Sequence, residues 1–309
     1  MTTRKQYGPS STSGGRSSRA GERMKVGVGL PFKMPTDSWA YISELARRAD
    51  EGPYSSFAAL DRLAYDNFEA MAELAAVAAI TKRLRLVTTI LLAPVRNAGV
   101  LAKQAATIDA ISDGRLSLGL AVGGREDDAI VAPSQFRNRG NLFEEQLVHM
   151  KRIWNGEVLE GAQRPVGPAP VQPGGPEILI GGTHPRAIGR VGRFANGYVM
   201  GGRALEAEWS KGIITQVEES WAENGREGRP RIVVTLPCAL GPGGDDAVAG
   251  ALADYYGGDP SRQARLQPTS PEIIRNAISM HEELGSDEII FRPVTPDLEQ
   301  LERLTDAIG

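Results

Sequence analysis

Short apolar runs alternate with stretches of helical periodicity from Met24 to the end of the chain. This alternation predicts parallel strands, each followed by a helix that covers the sheet. The apolar runs are Lys25 to Leu30, Ser56 to Leu60, Leu84 to Leu92, Leu116 to Val122, Ile178 to Gly182, Tyr198 to Gly201, Arg231 to Leu240 and Glu288 to Val294. The helical stretches are Asp37 to Glu51, Glu69 to Thr81, Ala98 to Ile111, Phe143 to Asn155, Pro185 to Phe194, Leu205 to Glu223, Pro271 to Leu284 and Pro296 to Ile308.

Eight strand and helix pairs predict a (β/α)8 TIM barrel, an α/β fold whose usual size of about 250 residues suits residues 24–309. A doubly wound open sheet is the alternative. Such sheets bind dinucleotides at a Gly-x-Gly-x-x-Gly turn that opens a helix. Here Gly27-Val28-Gly29 is followed by Leu30-Pro31-Phe32, so the sequence favours the barrel.

Three segments stand apart from the repeated units. The first 23 residues are mostly Ser, Gly, Arg and Thr, which predicts a disordered tail over 1–23 before a barrel domain over 24–309. Residues 125–142 follow the fourth strand, so in a barrel they lie on the face that carries chemistry and are a lid candidate. The proline-rich residues 156–176 precede the fifth strand and are predicted to tether the opposite face.

Charge and cysteine content narrow the class of protein. The formal net charge of -3 and the pI near 5.8 give no reason to expect nucleic acid or an anionic membrane surface as a partner. No apolar run reaches the roughly eighteen residues that a membrane span needs. Cys238 is the single cysteine, so an intrachain disulfide is excluded and a cytoplasmic protein acting on small molecules is expected.

Three predicted strands end at or just before a pair of glycines, at Gly123-Gly124, Gly181-Gly182 and Gly201-Gly202. Because glycine lets bare backbone approach a ligand, these ends predict a shared ligand-binding rim. The segment Gly181-Gly182-Thr183-His184-Pro185 adds the start of a helix, with Pro185 suited to the first turn. Free N–H groups and the helix dipole favour phosphate there, with the Thr183 hydroxyl and a His184 cation as further groups. The alternative is a tight turn with Thr183 as the N-cap.

Polar side chains follow other strands. Asp61 and Arg62 end the second run, Thr88 and Thr89 lie in the third, and Arg125 follows the fourth. All of these positions fall at the carboxyl ends of strands, where barrel enzymes keep their working residues. We therefore expect them near a ligand. The alternatives are backbone hydrogen bonding for the threonines, and gating of a lid or a solvated loop for Arg125.

A metal site is not expected. Glu126, Asp127 and Asp128 are consecutive acids without spaced His or Cys ligands, and His149, His184 and His281 are scattered. The sequence also contains no Gly-x-Ser-x-Gly elbow, phosphate-binding Gly-Lys-Ser/Thr loop or His-Glu-x-x-His zinc motif. A phosphate cradle without a nucleophile or metal favours an organic cofactor that supplies the reactivity.

Several segments in order resemble the bacterial luciferase-like monooxygenase superfamily, and the likeness extends over nearly the whole chain from Met24. These segments are Leu60-Asp61-Arg62-Leu63, the run Thr81-Lys82-Arg83-Leu84-Arg85-Leu86-Val87-Thr88-Thr89, the helix Ala102-Lys103-Gln104-Ala105-Ala106-Thr107-Ile108-Asp109, Ser112-Asp113-Gly114-Arg115-Leu116-Ser117-Leu118-Gly119, Pro176-Glu177-Ile178-Leu179-Ile180-Gly181-Gly182 and Ala195-Asn196-Gly197-Tyr198. The superfamily comprises flavin-dependent monooxygenases and deazaflavin (F420) dependent oxidoreductases on a TIM barrel.

The resemblance implies specific roles for residues at the barrel mouth. A flavin-like ring is expected near Asp61, Thr89, Ile90 and Gly123, with its phosphate at Gly181, Gly182 and Thr183, and a non-prolyl cis peptide is expected between Thr89 and Ile90. Arg62 and Arg125 are the candidate catalytic residues, and Tyr65 and Arg292 the candidate substrate-binding residues.

By the same resemblance, the chain is expected to be a monooxygenase that uses reduced FMN and O2 to oxidise a small organic substrate, with a separate flavin reductase. Deazaflavin dehydrogenases carry His after the second-strand Asp and Glu after the fourth-strand Gly, where this chain has Arg62 and Gly124. That departure favours FMN. An F420-dependent hydride-transfer oxidoreductase is the alternative, and a non-catalytic flavin-binding barrel is a third reading because no general base is evident. Relatives commonly form homodimers.

Overall fold

The computed structural model describes residues 24–34, 38–256 and 267–309. Strand segments in these ranges are β1 (Lys25–Gly29), β2 (Ser56–Ala59), β3 (Arg85–Thr88), β4 (Leu91–Leu92), β5 (Leu116–Ala121), β6 (Glu177–Gly181), β7 (Gly197–Met200), β8 (Arg231–Cys238) and β9 (Glu288–Pro293). The α-helices there are α1 (Ser38–Glu51), α2 (Ala70–Ile80), α3 (Ala98–Ile111), α4 (Glu126–Val131), α5 (Arg139–Trp154), α6 (Pro185–Phe194), α7 (Ala207–Glu223), α8 (Gly244–Tyr256), α9 (Pro271–Glu283) and α10 (Glu299–Ile308). The predicted tail over 1–23 lies outside the described residues, so the division at residue 24 stays a prediction.

The strands form a closed parallel barrel. Their order is β1, β2, β3, β5, β6, β7, β8 and β9, and β9 pairs with β1 to complete the ring. β3 and β4 are two parts of one barrel strand, because both pair with β5, through Leu86 and Leu91 respectively. The predicted (β/α)8 TIM barrel is confirmed. The third strand differs from its prediction in being broken at the Thr89–Ile90 peptide bond, which is cis as the family resemblance implied.

Side chains of the strands divide between two apolar clusters, since successive residues of a strand point to opposite faces. The cluster inside the barrel comprises Ala58, Val87, Leu179, Val199, Val233 and Ile290. Their chain neighbours, such as Phe57, Ile180 and Ile289, pack in the larger cluster that includes the helices. Burial on both faces explains why the strands appear in the sequence as continuous apolar runs instead of alternating ones.

The amino-terminal ends of the strands carry an ionic group. Arg231, at the start of β8, pairs with Glu177 of β6 and with Glu288 of β9. Ser117 and Ser55 donate further hydrogen bonds, each 2.5 Å long, to Glu177 and Glu288 respectively. Glu288 is only 1% exposed, so its carboxylate depends on these partners for the solvation that it loses on folding.

Residues 156–176 contact this same end, as predicted. The backbone N–H groups of Val171 and Gln172 donate to Asp109, near the end of α3, at 2.8 and 3.0 Å. The Gln172 side chain donates to the carbonyl of Leu116, the first residue of β5. Both contacts lie next to the amino-terminal end of β5, on the side away from the predicted ligand rim.

Two helices lie outside the predicted set. Residues 125–142, predicted as a lid candidate, contain α4, a 3-10 turn at Phe136–Asn138 and the first turn of α5. Helix α8 follows β8, where the sequence analysis assigned no element before Pro271. Its buried residues Val248, Leu252 and Tyr255 have the spacing of one helical face, so the periodicity was present in the sequence.

A close approach between α6 and α7 depends on Gly192. A Cβ placed at Gly192 would lie less than 3.0 Å from the backbone oxygen of Ser220, whereas one placed at Gly189, on the same helix, would meet no atom within 4 Å. We expect Gly192→Ala to lower the free energy of unfolding by about 1–3 kcal/mol through overpacking. Gly189→Ala is expected to raise it by about 0.5–1 kcal/mol, because alanine favours the helix. Urea denaturation measures both, and equal effects of the two substitutions would contradict the packing argument.

Candidate functional site

Asp61 lies directly beyond β2 at the carboxyl-terminal rim of the barrel. It is 1% exposed, and its carboxylate accepts hydrogen bonds from the N–H of Leu92 at 2.8 Å and from both terminal nitrogens of Arg96 at 2.6 and 2.8 Å. Burial raises the pKa of Asp61, and the charge of Arg96 opposes that shift. Asp61 was predicted as a cofactor contact, and its carboxylate is bonded to the protein itself, at the end of the β4 segment and at Arg96.

The cis peptide places Thr89 and Ile90 beside two other predicted site residues. Arg292, on β9, donates from Nη2 to the Thr89 carbonyl at 3.2 Å and to the Thr89 hydroxyl at 2.5 Å. The Ile90 side chain fills the space that a Cβ at Gly181 would need. The structure therefore brings Thr89, Ile90, Gly181 and Arg292 together at the mouth of the barrel.

Gly123 lies at the next strand end, with φ of +76°, a backbone conformation that suits glycine. Its carbonyl accepts a hydrogen bond from Arg139 Nε at 3.0 Å. A narrow cavity adjoins it, with Leu92, Val122 and Arg125 among the lining residues. Gly123 is thus on the same rim as Asp61 and Thr89, as expected for a ligand-facing position.

The Gly182-Thr183 turn is exposed at the end of β6, just before α6 begins at Pro185. The N-cap of α6 is His184, not Thr183, because His184 Nδ1 accepts the N–H of Arg186 at 3.1 Å. His184 Nδ1 is therefore occupied by the backbone of its own helix. Among the hydrogen bonds of the described residues, the backbone N–H groups of Thr183 and His184 have no acceptor, so both are free to bind an anion.

Arg62 is held by the acids that follow β5. Its guanidinium pairs with Asp128 at 2.7 Å and with Asp127 at 3.2 Å, and its side chain is 4% exposed. Asp128 also accepts the N–H groups of Leu63 and Ala64. The acids that the sequence analysis weighed as metal ligands therefore anchor the 61–65 turn. Arg62 Nη1 remains buried without a partner.

Arg125 lies on the outside of the same region. It is exposed, pairs with Asp127 at 2.8 Å, and donates from Nη1 to the carbonyl of Tyr255 at 3.3 Å. Its contact links the segment after β5 to helix α8. Arg62 and Arg125 thus share the Asp127 carboxylate, but only Arg62 is buried at the mouth.

Helix α8 covers the barrel mouth with aromatic side chains. Tyr255 stacks on Phe32 with 4.6 Å between ring centroids, and Tyr65 meets Tyr255 edge-on at 5.2 Å. The Tyr65 hydroxyl donates to Asp254 at 2.5 Å. We call Phe32, Tyr65 and Tyr255 the aromatic cap. Tyr65 was predicted to bind substrate, and its ring is part of the aromatic cap over the barrel mouth.

Both buried arginines lie against the aromatic cap. The Arg62 guanidinium carbon is 5.3 Å from the centre of the Tyr255 ring, and that of Arg292 is 5.6 Å from the centre of the Phe32 ring. Arg292 is 2% exposed, and burial lowers its pKa. Its Nη1, like that of Arg62, is buried without a hydrogen-bond partner.

Glu73 is a buried acid that the sequence analysis did not consider. It is 6% exposed, in the first turn of α2, and its Oε1 has no partner. Burial raises the pKa of Glu73 to about 8, with the charge of Glu69 acting in the same direction and that of Arg292 opposing it. The sequence held a signal, because Glu73 is the single charged residue in the otherwise apolar α2.

The histidines and acids do not form a metal centre in the described ranges. His281 is buried and bonded to the Ser286 hydroxyl and the Ala204 carbonyl, as a satisfied core histidine. No group of three or more His, Cys, Asp or Glu side chains within residues 24–34, 38–256 and 267–309 is arranged to hold a metal ion. Over the same ranges, no helix combines the length and apolar character of a bilayer span.

Solved structures share this barrel. Monooxygenase RslO1 from Streptomyces bottropensis superposes with a TM-score of 0.76 at 23% identity, covering 92% of this chain and 97% of that one. An F420-dependent secondary alcohol dehydrogenase, solved with an F420-acetone adduct, gives a TM-score of 0.73 at 17% identity, covering 93% and 98%. At identities this low, these TM-scores establish a common fold and nothing more.

Sequence relatives match shorter parts of the chain. An uncharacterised protein of Mycobacterium tuberculosis is 28% identical over 167 residues, 52% of this chain and 58% of the relative. The phthiodiolone/phenolphthiodiolone dimycocerosates ketoreductase of Mycobacterium kansasii is 34% identical over 127 residues, 38% of this chain and 34% of the relative. The chain thus spans less than two thirds of the length of these curated relatives.

The family model of luciferase-like monooxygenases matches residues 17–294. The chain belongs to the luciferase-like monooxygenase family, as its motifs predicted.

Proposed function

We propose that the chain is a flavin-dependent monooxygenase that uses reduced FMN and O2 to oxidise a small organic substrate. The observation that carries the proposal is the pair of free N–H groups at Thr183 and His184, at the start of a helix on the barrel rim of a luciferase-like protein. A helix start of this kind is suited to a phosphate group. Bound there, reduced FMN would supply the electrons that activate O2.

The residues around the mouth fit a flavin. Gly182 has φ of +113° and is exposed, so the chain turns at β6 without a side chain over the free N–H groups. The absence of a side chain at Gly181 leaves room for Ile90, which carries the cis bond. We assign Gly181, Gly182 and Thr183 to the phosphate, and Asp61, Thr89, Ile90 and Gly123 to the ring side of the site.

The side chains nearest the proposed ring have distinct tasks. Asp61 acts as a positioning residue, because Arg96 and the Leu92 N–H occupy its oxygens. Arg62 has a free buried Nη1 and is the stronger catalytic candidate, whereas Arg125 is exposed and paired with Asp127. The aromatic cap excludes water from the mouth, which strengthens electrostatic interactions inside it.

FMN is favoured over F420 by two positions. This chain has Arg62 and Gly124 where the deazaflavin dehydrogenases of the family carry His and Glu. F420-dependent hydride transfer is the second candidate, supported by the fold shared with the F420-dependent alcohol dehydrogenase. A non-catalytic flavin-binding barrel is the third. A separate flavin reductase, a homodimer and a cytoplasmic location complete the proposal.

Titration of the purified protein with FMN, reduced FMN and F420 tests the proposal. We expect reduced FMN to bind most tightly and the loaded protein to consume O2 when a flavin reductase regenerates the cofactor. Tighter binding of F420 would replace the monooxygenase by the hydride-transfer candidate. Absence of binding by all three compounds would leave only a barrel without flavin chemistry.

Thr183→Ala tests the phosphate assignment. Its hydroxyl would donate to a dianionic group, and hydrogen bonds to charged groups are stronger than neutral ones. We expect the variant to bind FMN about tenfold more weakly, while its affinity for riboflavin, which lacks the phosphate, stays unchanged. Flavin fluorescence titration measures both. A parallel loss for riboflavin would contradict a phosphate contact at Thr183, and Thr107→Ala on exposed α3 surface serves as the control.

A further inference from the structure

Among the residues that the structure describes, Arg292 is a buried cation without a counter-ion. Its Nη2 donates only to neutral oxygens, those of Thr89 and a more distant Thr235 hydroxyl at 3.4 Å, and its Nη1 donates to no atom. In the described part of the chain, no carboxylate forms an ion pair with it. The carboxyl group of Glu73, whose charge would raise the pKa of Arg292, stays protonated below about pH 8 because burial raises its own pKa. A buried charge is costly unless it is paired, so an anion is missing from this place.

Arg62 presents a second donor to the same region. Its Nε and Nη2 are taken by Asp128 and Asp127, but its Nη1 is buried and unpartnered. Arg62 lies against Tyr255 and Arg292 lies against Phe32, and these two rings stack on one another. The two free Nη1 atoms therefore belong to guanidinium groups that lie against the same pair of stacked rings.

We propose that Arg292 and Arg62 bind the anionic end of the substrate, and that the substrate is an organic carboxylate with an apolar body packed against the aromatic cap. The inference rests on the proposed function, and it names the substrate class of that site. Guanidinium groups bind carboxylates through parallel hydrogen bonds, and aromatic rings offer apolar surface to the body of such a ligand. The Tyr255 ring must separate from Phe32 for such a ligand to reach Arg292.

Matched acids and amides test the charge requirement on the unaltered protein. Acetate, benzoate and 2-naphthoate are titrated calorimetrically beside acetamide, benzamide and 2-naphthamide, with and without oxidised FMN. We expect at least one aromatic acid to bind about tenfold or more tightly than its amide, as a charge-assisted pair requires. Equal affinities in all three pairs, or no binding by any of the six compounds, would overturn the proposal.

Arg292→Met and Arg62→Met locate the anion. Each variant is expected to lose about tenfold or more of the carboxylate affinity while keeping its affinity for the amides and for FMN. Arg292→Lys keeps the charge and is expected to retain part of the carboxylate affinity. Arg152→Met removes an exposed arginine paired with Glu157 and serves as the control. Circular dichroism establishes that each variant folds, and the titrations of the unaltered protein do not depend on it.

The alternative to a substrate carboxylate as the anion beside Arg292 is the ring of the reduced cofactor. If Arg292→Met shifts the reduction potential of bound FMN but leaves carboxylate affinity unchanged, the anion belongs to the cofactor and the proposal is wrong. If the unaltered protein binds no flavin but distinguishes acids from amides, the proposed function fails while the carboxylate site stands. The two results are separate, because the first arm needs no cofactor.

Discussion

Replacing Glu73 by Gln is expected to remove a large pH dependence of stability. The pKa of Glu73 rises from 4.5 to about 8 on folding, chiefly through burial. Between these values the folded protein holds a proton that the unfolded chain has released, so stability falls as pH rises, by up to about 1.4 kcal/mol per pH unit. The stabilisation is complete below pH 4.5 and is lost once the pH passes about 8.

Gln resembles the protonated form of Glu and does not titrate. We therefore expect the variant and the original protein to unfold at similar denaturant concentrations at pH 5, and the variant to be more stable by on the order of 4 kcal/mol at pH 9. Urea denaturation from pH 5 to pH 9 measures the difference. Glu218→Gln, on an exposed face of α7, should produce no pH-dependent difference. If the difference in unfolding free energy between Glu73→Gln and the original protein is the same at every pH, Glu73 is not a buried, protonated acid.

Arg231→Met is expected to be among the most destabilising single substitutions at the amino-terminal end of the barrel. The guanidinium joins Glu177 of β6 to Glu288 of β9, and Glu288 is almost completely buried. Without it, Glu288 keeps only the Ser55 hydroxyl as a donor, and Glu177 keeps the Ser117 hydroxyl and a longer ion pair with Arg85 at 3.7 Å. Removing one partner from a buried ionic group costs about 3–5 kcal/mol.

Chemical denaturation measures this loss, and an exposed ion pair provides the comparison. Arg152→Met breaks the pair with Glu157, both of whose side chains are about half exposed, and should leave the midpoint unchanged. The double substitution Glu177→Gln with Arg231→Met should recover part of the lost stability, because only one of the two negative charges then remains. Equal stability of Arg231→Met and the original protein would show that Arg231 contributes nothing there.

The sequence was sufficient for the barrel because most strands are buried on both faces, and helices such as α6 and α10 have a regular apolar stripe. The runs around Leu179 and Ile289 are continuous, as parallel strands in a covered sheet require. Helix α8 was missed for a different reason. It lies after a strand and before another helix, and the alternation of strands and helices provides no place for an extra element.

The rim residues were predictable in position but not in partner. Asp61 and Arg62 were expected at the mouth from their place after β2, and both lie there. Their partners come from elsewhere in the chain: Arg96 binds Asp61, and Asp128, 66 residues further on, binds Arg62. Pairings over such distances leave no trace in one sequence, so the division between engaged and free donors required coordinates.

For Arg292, too, the sequence predicted the position but not the partners of the side chain. Its residue type and strand end suggested a substrate contact, but an arginine in a sequence gives no sign of whether an acid neutralises it. The lack of a counter-ion became visible only through its hydrogen bonds to Thr89 and Thr235. The proposal of a carboxylate substrate therefore depends on the absence of an acid beside Arg292 in the described residues, and not on the arginine alone.

The bond between Arg62 and Asp128 bears on how such enzymes diverge. Asp128 holds both that guanidinium and the backbone of the 61–65 turn, so losing the arginine leaves an uncompensated carboxylate under the turn. A lineage that changes position 62 to accept another substrate is therefore expected to change position 128 in the same interval. Homologous sequences should show the two positions varying together, and a drift at one of them alone should be rare.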